Sequence, residues 1–271
     1  MSNKSRWFAA PYILWMIIFT VIPLVIIVYY SLTDVSGAFT LDNITAIAHG
    51  SRIKIFFESI WQSAVSTVIC LVIGYPVAYY MSRMSARKQS MLVTLIMIPM
   101  CMSFLLRTMA WVVLLENNGL FYRILTGLGF QNVKLIRTPA AVILCMVYNY
   151  LPYMILPLYT VMMKIQAPVL EAAGDLGAGK MNVFSRVILP LSAPGIVSGV
   201  TMVFVPAVST FYISKKLGGT SMMIGDMIEG YFKDTPNYNM GAALSLLLML
   251  VVLISIGVMS RAGGKDTTVV V

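Results

Sequence analysis

Six stretches of this chain, approximately residues 9–32, 59–82, 91–115, 140–163, 187–213 and 240–260, run for twenty residues or more with scarcely a charge among them. A bilayer core of about 30 Å asks for roughly 20 mainly apolar residues per crossing helix, so each stretch predicts one transmembrane span. In lipid, a backbone amide finds its partner only inside a helix or a closed barrel. A barrel would show short strands of alternating polarity. The long apolar runs predict instead an all-α, polytopic membrane bundle of six helices, one transmembrane domain over residues 1–271. Composition agrees. Only 11% of the residues are charged and 59% are hydrophobic, whereas a soluble domain carries roughly 25% charged residues. A soluble enzyme, a disordered chain and a disulfide-framed secreted protein are excluded.

The first stretch follows Lys4 and Arg6, as a signal peptide would. Its apolar run exceeds the roughly 7–15 residues of a signal core, and no small-residue cleavage site follows, so a retained helix is expected. With the N-terminus in the cytoplasm, the cytoplasmic segments hold Lys4, Arg6, Arg83, Arg87, Lys88, Lys164, Lys180, Arg186, Arg261 and Lys265 against Glu171, Asp175 and Asp266. The outer segments hold eight basic and seven acidic residues. Basic residues favour the cytoplasmic side of short loops, so both termini are expected inside. The formal charge of +9 then reports orientation in the membrane rather than a nucleic-acid partner.

Several chemistries have no residues to carry them. Cys70, Cys101 and Cys145 fall singly in different apolar runs, where a thiol behaves as a small hydrophobe. His49 is the only histidine, so no metal site is expected. Asn43-Ile44-Thr45 matches a glycosylation sequon of the kind that arises by chance. No phosphate-binding loop, zincin or nucleophile-elbow motif occurs. A proton- or sodium-coupled carrier would place acids inside its spans, and the central parts of these six hold none. The energy for transport is expected to come from another subunit.

The most specific segment is the loop at 164–186. Pro168 suits the first position of a short helix, Glu171 would then lie in its first turn and complement the dipole, and Ala172 and Ala173 leave a smooth surface. Gly177 and Gly179 permit a sharp turn before a second helix re-enters the membrane. Glu171, Ala172, Ala173, Gly177, Leu189 and Pro190 match the E-A-A-x-x-x-G-x9-I-x-L-P pattern, with Val187 in place of Ile. The loop resembles the EAA loop of ABC importer permeases, type I fold. That resemblance implies a coupling helix, with Glu171, Asp175 and their neighbours seated on a separate ATPase.

Other stretches narrow the resemblance. They include Pro11 to Trp15, Tyr30-Ser-Leu-Thr-Asp34, Arg107-Thr-Met-Ala-Trp111, Val203-Phe-Val-Pro206, Leu217-Gly-Gly219 and Asn239-Met-Gly241. Together they look like the PotB-type permease subunit of spermidine/putrescine importers. The resemblance implies half of a polyamine pathway, two ATPase subunits, a second related permease and an extracytoplasmic substrate-binding protein. ATP and magnesium would be bound by the ATPase, and this chain would bind no cofactor. An importer for another small solute, or a stand-alone channel or secondary carrier, is the alternative.

A polyamine favours carboxylates at an entrance and aromatic faces along its path, where each cation–π contact contributes about 0.5–2 kcal/mol. Candidate path residues are therefore Tyr148, Asn149, Tyr150, Tyr153 and Tyr159, near Pro152 and Pro157, which can expose carbonyls to ammonium groups. Ile224, Met227, Ile228, Tyr231 and Phe232 recur at helical spacing. Asp226, Glu229 and Tyr231 of that segment are candidates for an outer gate or a docking surface, and an interfacial helix is the plainer reading. Arg107 and Trp111 are expected to have a structural or gating role, Arg107 by snorkelling or by pairing with a carboxylate of another span. Pro190, Pro194, Gly195, Gly199 and Pro206 predict a bent fifth span able to line a pathway.

Overall fold

The computed structural model describes residues 11–48, 50–130, 134–219, 221–234 and 237–262. His49 lies outside them, as do the basic residues Lys4, Arg6 and Lys265. In chain order the helices are α1 (Pro11–Ser31), α2 (Asp42–Ile47), α3 (Ser51–Ser82), α4 (Ala86–Met100), α5 (Phe104–Leu115), α6 (Leu120–Gly127), α7 (Pro139–Met162), α8 (Ala167–Asp175), α9 (Lys180–Val208), α10 (Tyr212–Leu217), α11 (Ile224–Lys233) and α12 (Tyr238–Ala262). Five are long and apolar enough to cross a membrane: α1, α3, α7, α9 and α12. The sixth apolar stretch is not straight. α4 meets the Phe104–Gly127 segment at an 83° bend, so the expected third span is a broken one. Pro99 takes one amide out of the ladder, and Ser103 turns extended as the next N-cap, at ψ 131°. Hydropathy could not show the break, because Ser103 is the one polar residue in an otherwise apolar stretch around it.

Two other spans differ at their ends from the apolar runs. α3 starts at Ser51 rather than at 59, because its first turns carry Arg52, Lys54 and Glu58. The expected 187–213 span is a helix from Lys180 to Val208. At its end the Ser209 hydroxyl bonds back to the carbonyls of Val205 and Pro206.

Two π-helical turns share a cause. Ile17–Val21 lies just ahead of Pro23, and Phe184–Ile188 lies just ahead of Pro190. A proline ring collides with the carbonyl four residues back. Widening the preceding turn to i→i+5, with Ile22 N–H on Ile17 O and Leu189 N–H on Phe184 O, relieves the collision without ending the helix.

The chain divides into two compact units. One comprises the residues up to Ile55 with Met227–Val251, the other Phe56–Asp226 with the residues from Val252. In the first, the Asn43 side-chain amide donates to the carbonyls of Ser31 and Thr33, and Asn239 donates to those of Tyr30 and Thr33. The sequon asparagine thus closes the turn after α1. No part of the most apolar window of α1 is buried.

In the second unit α7 is central, with more than half of its apolar window buried. Met146, Met154, Leu158 and Met162 on it are fully enclosed. Its main neighbour is α9, whose glycines allow a close crossing. A Cβ at Gly199 would stand 2.7 Å from Met154 Sδ, and one at Gly195 would stand 3.2 Å from the Pro157 carbonyl. Small residues four apart let membrane helices approach closely where lipid offers no hydrophobic drive. Gly74 of α3 meets Met154 from another side, its Cβ position lying 3.1 Å from Cγ.

Candidate coupling element and substrate path

α8 is a short exposed helix closed at its C-terminal end by a specific device. Gly177 is left-handed at φ +77°. Its N–H bonds Gly174 O at 2.9 Å, while Ala178 N–H reaches back to Ala173 O at 3.1 Å. This pair of bonds is a Schellman motif, and it gives the glycine of the pattern a backbone reason. The start differs from expectation. Gln166 is the extended N-cap at ψ 143°, so Pro168 takes the second helical position and Glu171 lies beyond the first turn. Glu171, Ala172 and Asp175 are all exposed, and Ala173 is half-buried.

The surrounding chain forms a fixed base. Arg83 donates to Ile165 O at 3.1 Å, lies over the Tyr79 ring, and so ties the end of α3 to the approach to α8. Tyr159 donates to Gln89 Oε1, and the Gln89 amide donates to the carbonyls of Ser82 and Met84. Beyond the turn, Lys180 opens α9, which continues through the π turn at Phe184 and past Leu189 and Pro190 into the long apolar helix. Phe184 meets Tyr75 edge-on, and the Tyr75 hydroxyl lies 2.9 Å from Ser192 Oγ. Leu176 and Met181, 89% and 76% exposed, leave bare apolar knobs beside Glu171.

The aromatic candidates on α7 do not gather on one face. Asn149 is buried, its amide donating to Cys145 O and Sγ. Tyr150 is buried too, and its hydroxyl donates to Pro206 O, which also accepts from the Ser209 hydroxyl. Tyr148 is partly exposed and packs edge-on against Trp111, which stacks on Phe121 at 8°. Tyr153 is exposed and Tyr159 is engaged with Gln89.

Arg107 is 7% exposed on α5, and its Nε and Nη1 find no hydrogen-bond partner among the described residues. It neither snorkels outward nor forms an ion pair with a carboxylate there. The acidic candidates of α11 differ in kind. Asp226 is buried and its Oδ2 accepts the Met223 N–H at 2.9 Å, while Ser59 Oγ accepts the Ile224 N–H. These bonds satisfy the helix's orphan amides, so Asp226 is committed to the N-terminus of α11. Glu229 pairs with Lys233 at 2.8 Å, and the Tyr231 hydroxyl accepts from Arg52.

α3 also carries polar side chains inside its span. Ser59, Gln62, Ser63, Ser66 and Thr67 form a buried polar stripe at helical spacing on α3, where Gln62 Oε1 and Ser63 Oγ have no partner among the described residues. Polar groups inside a span face protein or a water-filled cavity.

The family of binding-protein-dependent transport system inner membrane components matches residues 71–262, which include the whole of α8 and α9. The chain belongs to that family. It is therefore a multi-pass inner-membrane transport component, which is not an enzyme. Among its relatives is the spermidine/putrescine transport system permease protein PotB of Escherichia coli strain K12, 33% identical over 88% of this chain and 90% of its own. The protein of the same name from Haemophilus influenzae is 35% identical, covering 92% and 90%. A bacterial alginate ABC transporter, solved with an alginate-bound periplasmic protein, superposes at a TM-score of 0.81 over 98% of this chain and 95% of its own. At 15% identity it shares the fold.

Proposed function

We propose that this chain is a permease subunit of an ATP-driven polyamine importer, lining half of the path for spermidine or putrescine. The supporting observation is the exposed α8, which carries Glu171 to Asp175 and is joined through the tight turn at Gly177 to the span-forming α9. PotB relatives at 33–35% identity along most of the chain support the substrate class. In this reading α8 faces the cytoplasm with both termini, and each of two ATPase subunits, binding ATP and magnesium, receives one such helix. One helix comes from this chain and the other from a second related permease. An extracytoplasmic binding protein delivers the solute. ATP closes the ATPase pair, α8 moves with it, and α9 transmits the movement so that the path opens alternately to each side. Glu171, Ala172, Ala173, Asp175, Gly177, Leu189 and Pro190 carry the coupling. Tyr148, Tyr153 and the polar stripe of α3 are the candidates for the path.

The test is uptake by the reconstituted complex, with spermidine, putrescine and an unrelated anion as competitors. ATP-dependent uptake blocked by the two amines and not by the anion is expected. Uptake by this chain alone in ATP-free vesicles would refute the reading.

A further inference from the structure

At the end of α7 remote from α8, two separate segments bring cations together. Lys134 and Arg137 precede α7, and Lys215 and Lys216 lie on α10; all four are exposed. A hollow of about 480 Å³ is lined by Glu116, Asn117, Lys134, Arg137 and Lys216. A second, of about 500 Å³, adjoins it and is lined by Arg137, Lys215, Lys216 and Gly219. Glu116 is the single carboxylate lining either. The two loops are pressed together. Arg137 is left-handed at φ +62°, Gly219 at φ +60°, and a Cβ on Gly219 would fall 2.6 Å from Arg137 Cβ. A bulky residue in that region marks a conformation imposed by its surroundings and concentrated at functional sites. With α7 24 residues long, the patch lies roughly 36 Å from the coupling element at 1.5 Å per residue. Whatever the chain's orientation, it is on the opposite side of the membrane from α8.

The charge decides what such a surface takes. Four cations around one carboxylate repel a free polyamine, so the patch is not the mouth of its path. A protein that carries a polycation must itself hold it with carboxylates, and its binding cleft is edged by them. We propose that Lys134, Arg137, Lys215 and Lys216 form the docking surface for the acidic rim of the substrate-binding protein. The proposal rests on the importer reading above and adds the residues and the sign of the contact. Complementary charge acts chiefly on encounter, raising association rates by about 10- to 1,000-fold with steep salt dependence.

The test uses the complete importer in nanodiscs, with ATPase activity followed against the concentration of its spermidine-loaded binding protein at low and high salt. Arg137→Gln/Lys216→Gln is expected to raise the KM for the binding protein about tenfold, flatten its salt dependence and leave turnover at saturation unchanged. Lys134→Gln/Lys216→Gln, which spares the left-handed turn, is expected to act the same way and controls for loss of folding. An unaltered KM and salt dependence in both variants would overturn the proposal. So would an unaltered KM with reduced retention of phosphatidylglycerol, which would make the patch a lipid site. Absence of spermidine uptake by the unsubstituted complex would instead refute the importer reading, so the two failures are distinct.

Discussion

Replacing Gly177 isolates one backbone requirement of the coupling element. The residue sits at φ +77°, and a Cβ added there meets no atom within 4 Å. The cost of a side chain is therefore conformational, with no clash to confuse it. For an alanine the left-handed region costs about 1–2 kcal/mol, which corresponds to roughly 5- to 30-fold in an equilibrium. Asparagine tolerates the region better, and a β-branched residue tolerates it worst. If α8 must keep its Schellman end to present Glu171 and Leu176, affinity for the ATPase should fall in the order Gly177, Asn, Ala, Val. The alanine variant should lose roughly 5- to 30-fold, by the same conversion. The assay is a titration of purified ATPase subunit against the permease pair in nanodiscs, with coupled uptake measured in parallel. A valine variant that binds and couples as well as the glycine chain would refute the reasoning. An asparagine variant as poor as valine would show that the turn's conformation is not what matters.

Other expectations follow from burial and bonding. Asp226→Ala should destabilise the permease by about 1 kcal/mol through loss of the α11 cap, read as a lower melting temperature. Normal melting of Asp226→Ala would remove the capping role. Gly199→Leu should cost about 1–3 kcal/mol by overpacking against Met154, and melting at the unaltered temperature would mean that α7 and α9 can separate freely. Arg107→Met removes two buried donors without partners, each costing about 1–3 kcal/mol when unsatisfied. It should leave the chain at least as stable, and a lower melting temperature would reveal a partner for the guanidinium.

Much of the bundle is written in hydropathy, since length and apolar content are what a bilayer demands of a helix. What hydropathy omits is backbone continuity. The apolar run through α4 breaks at 101–103, just past Pro99, whereas Pro23 and Pro190 lie within continuous helices whose upstream π turns absorb the ring. The short helix and the turn at Gly177 were legible because Pro168 and Gly177 fall within one local segment, although the helix starts one residue earlier and leaves Glu171 beyond its first turn. The aromatic path was less so. Tyr148, Tyr150 and Tyr159 are close in sequence, yet the helix sends them to an aromatic stack, the Pro206 carbonyl and a glutamine. The cationic patch was not visible at all, since Lys134, Arg137, Lys215 and Lys216 meet only through tertiary folding. Asp226 was read as a surface acid because a helical wheel cannot show that the first turn of a helix is capped.

The uninterrupted α9 has a mechanical consequence. At 29 residues it is a rod of roughly 43 Å, and a stiff rod conserves angle rather than displacement. A tilt of a few degrees about its crossing with α7 would move the Pro206 end, about nine residues on, sideways by roughly 1 Å. The close crossing with α7 at Gly195 and Gly199 is the natural fulcrum, because only there is the rod gripped by backbone. Lengthening either arm by one helical turn would change the ratio of input stroke to output stroke while leaving every contact chemically intact.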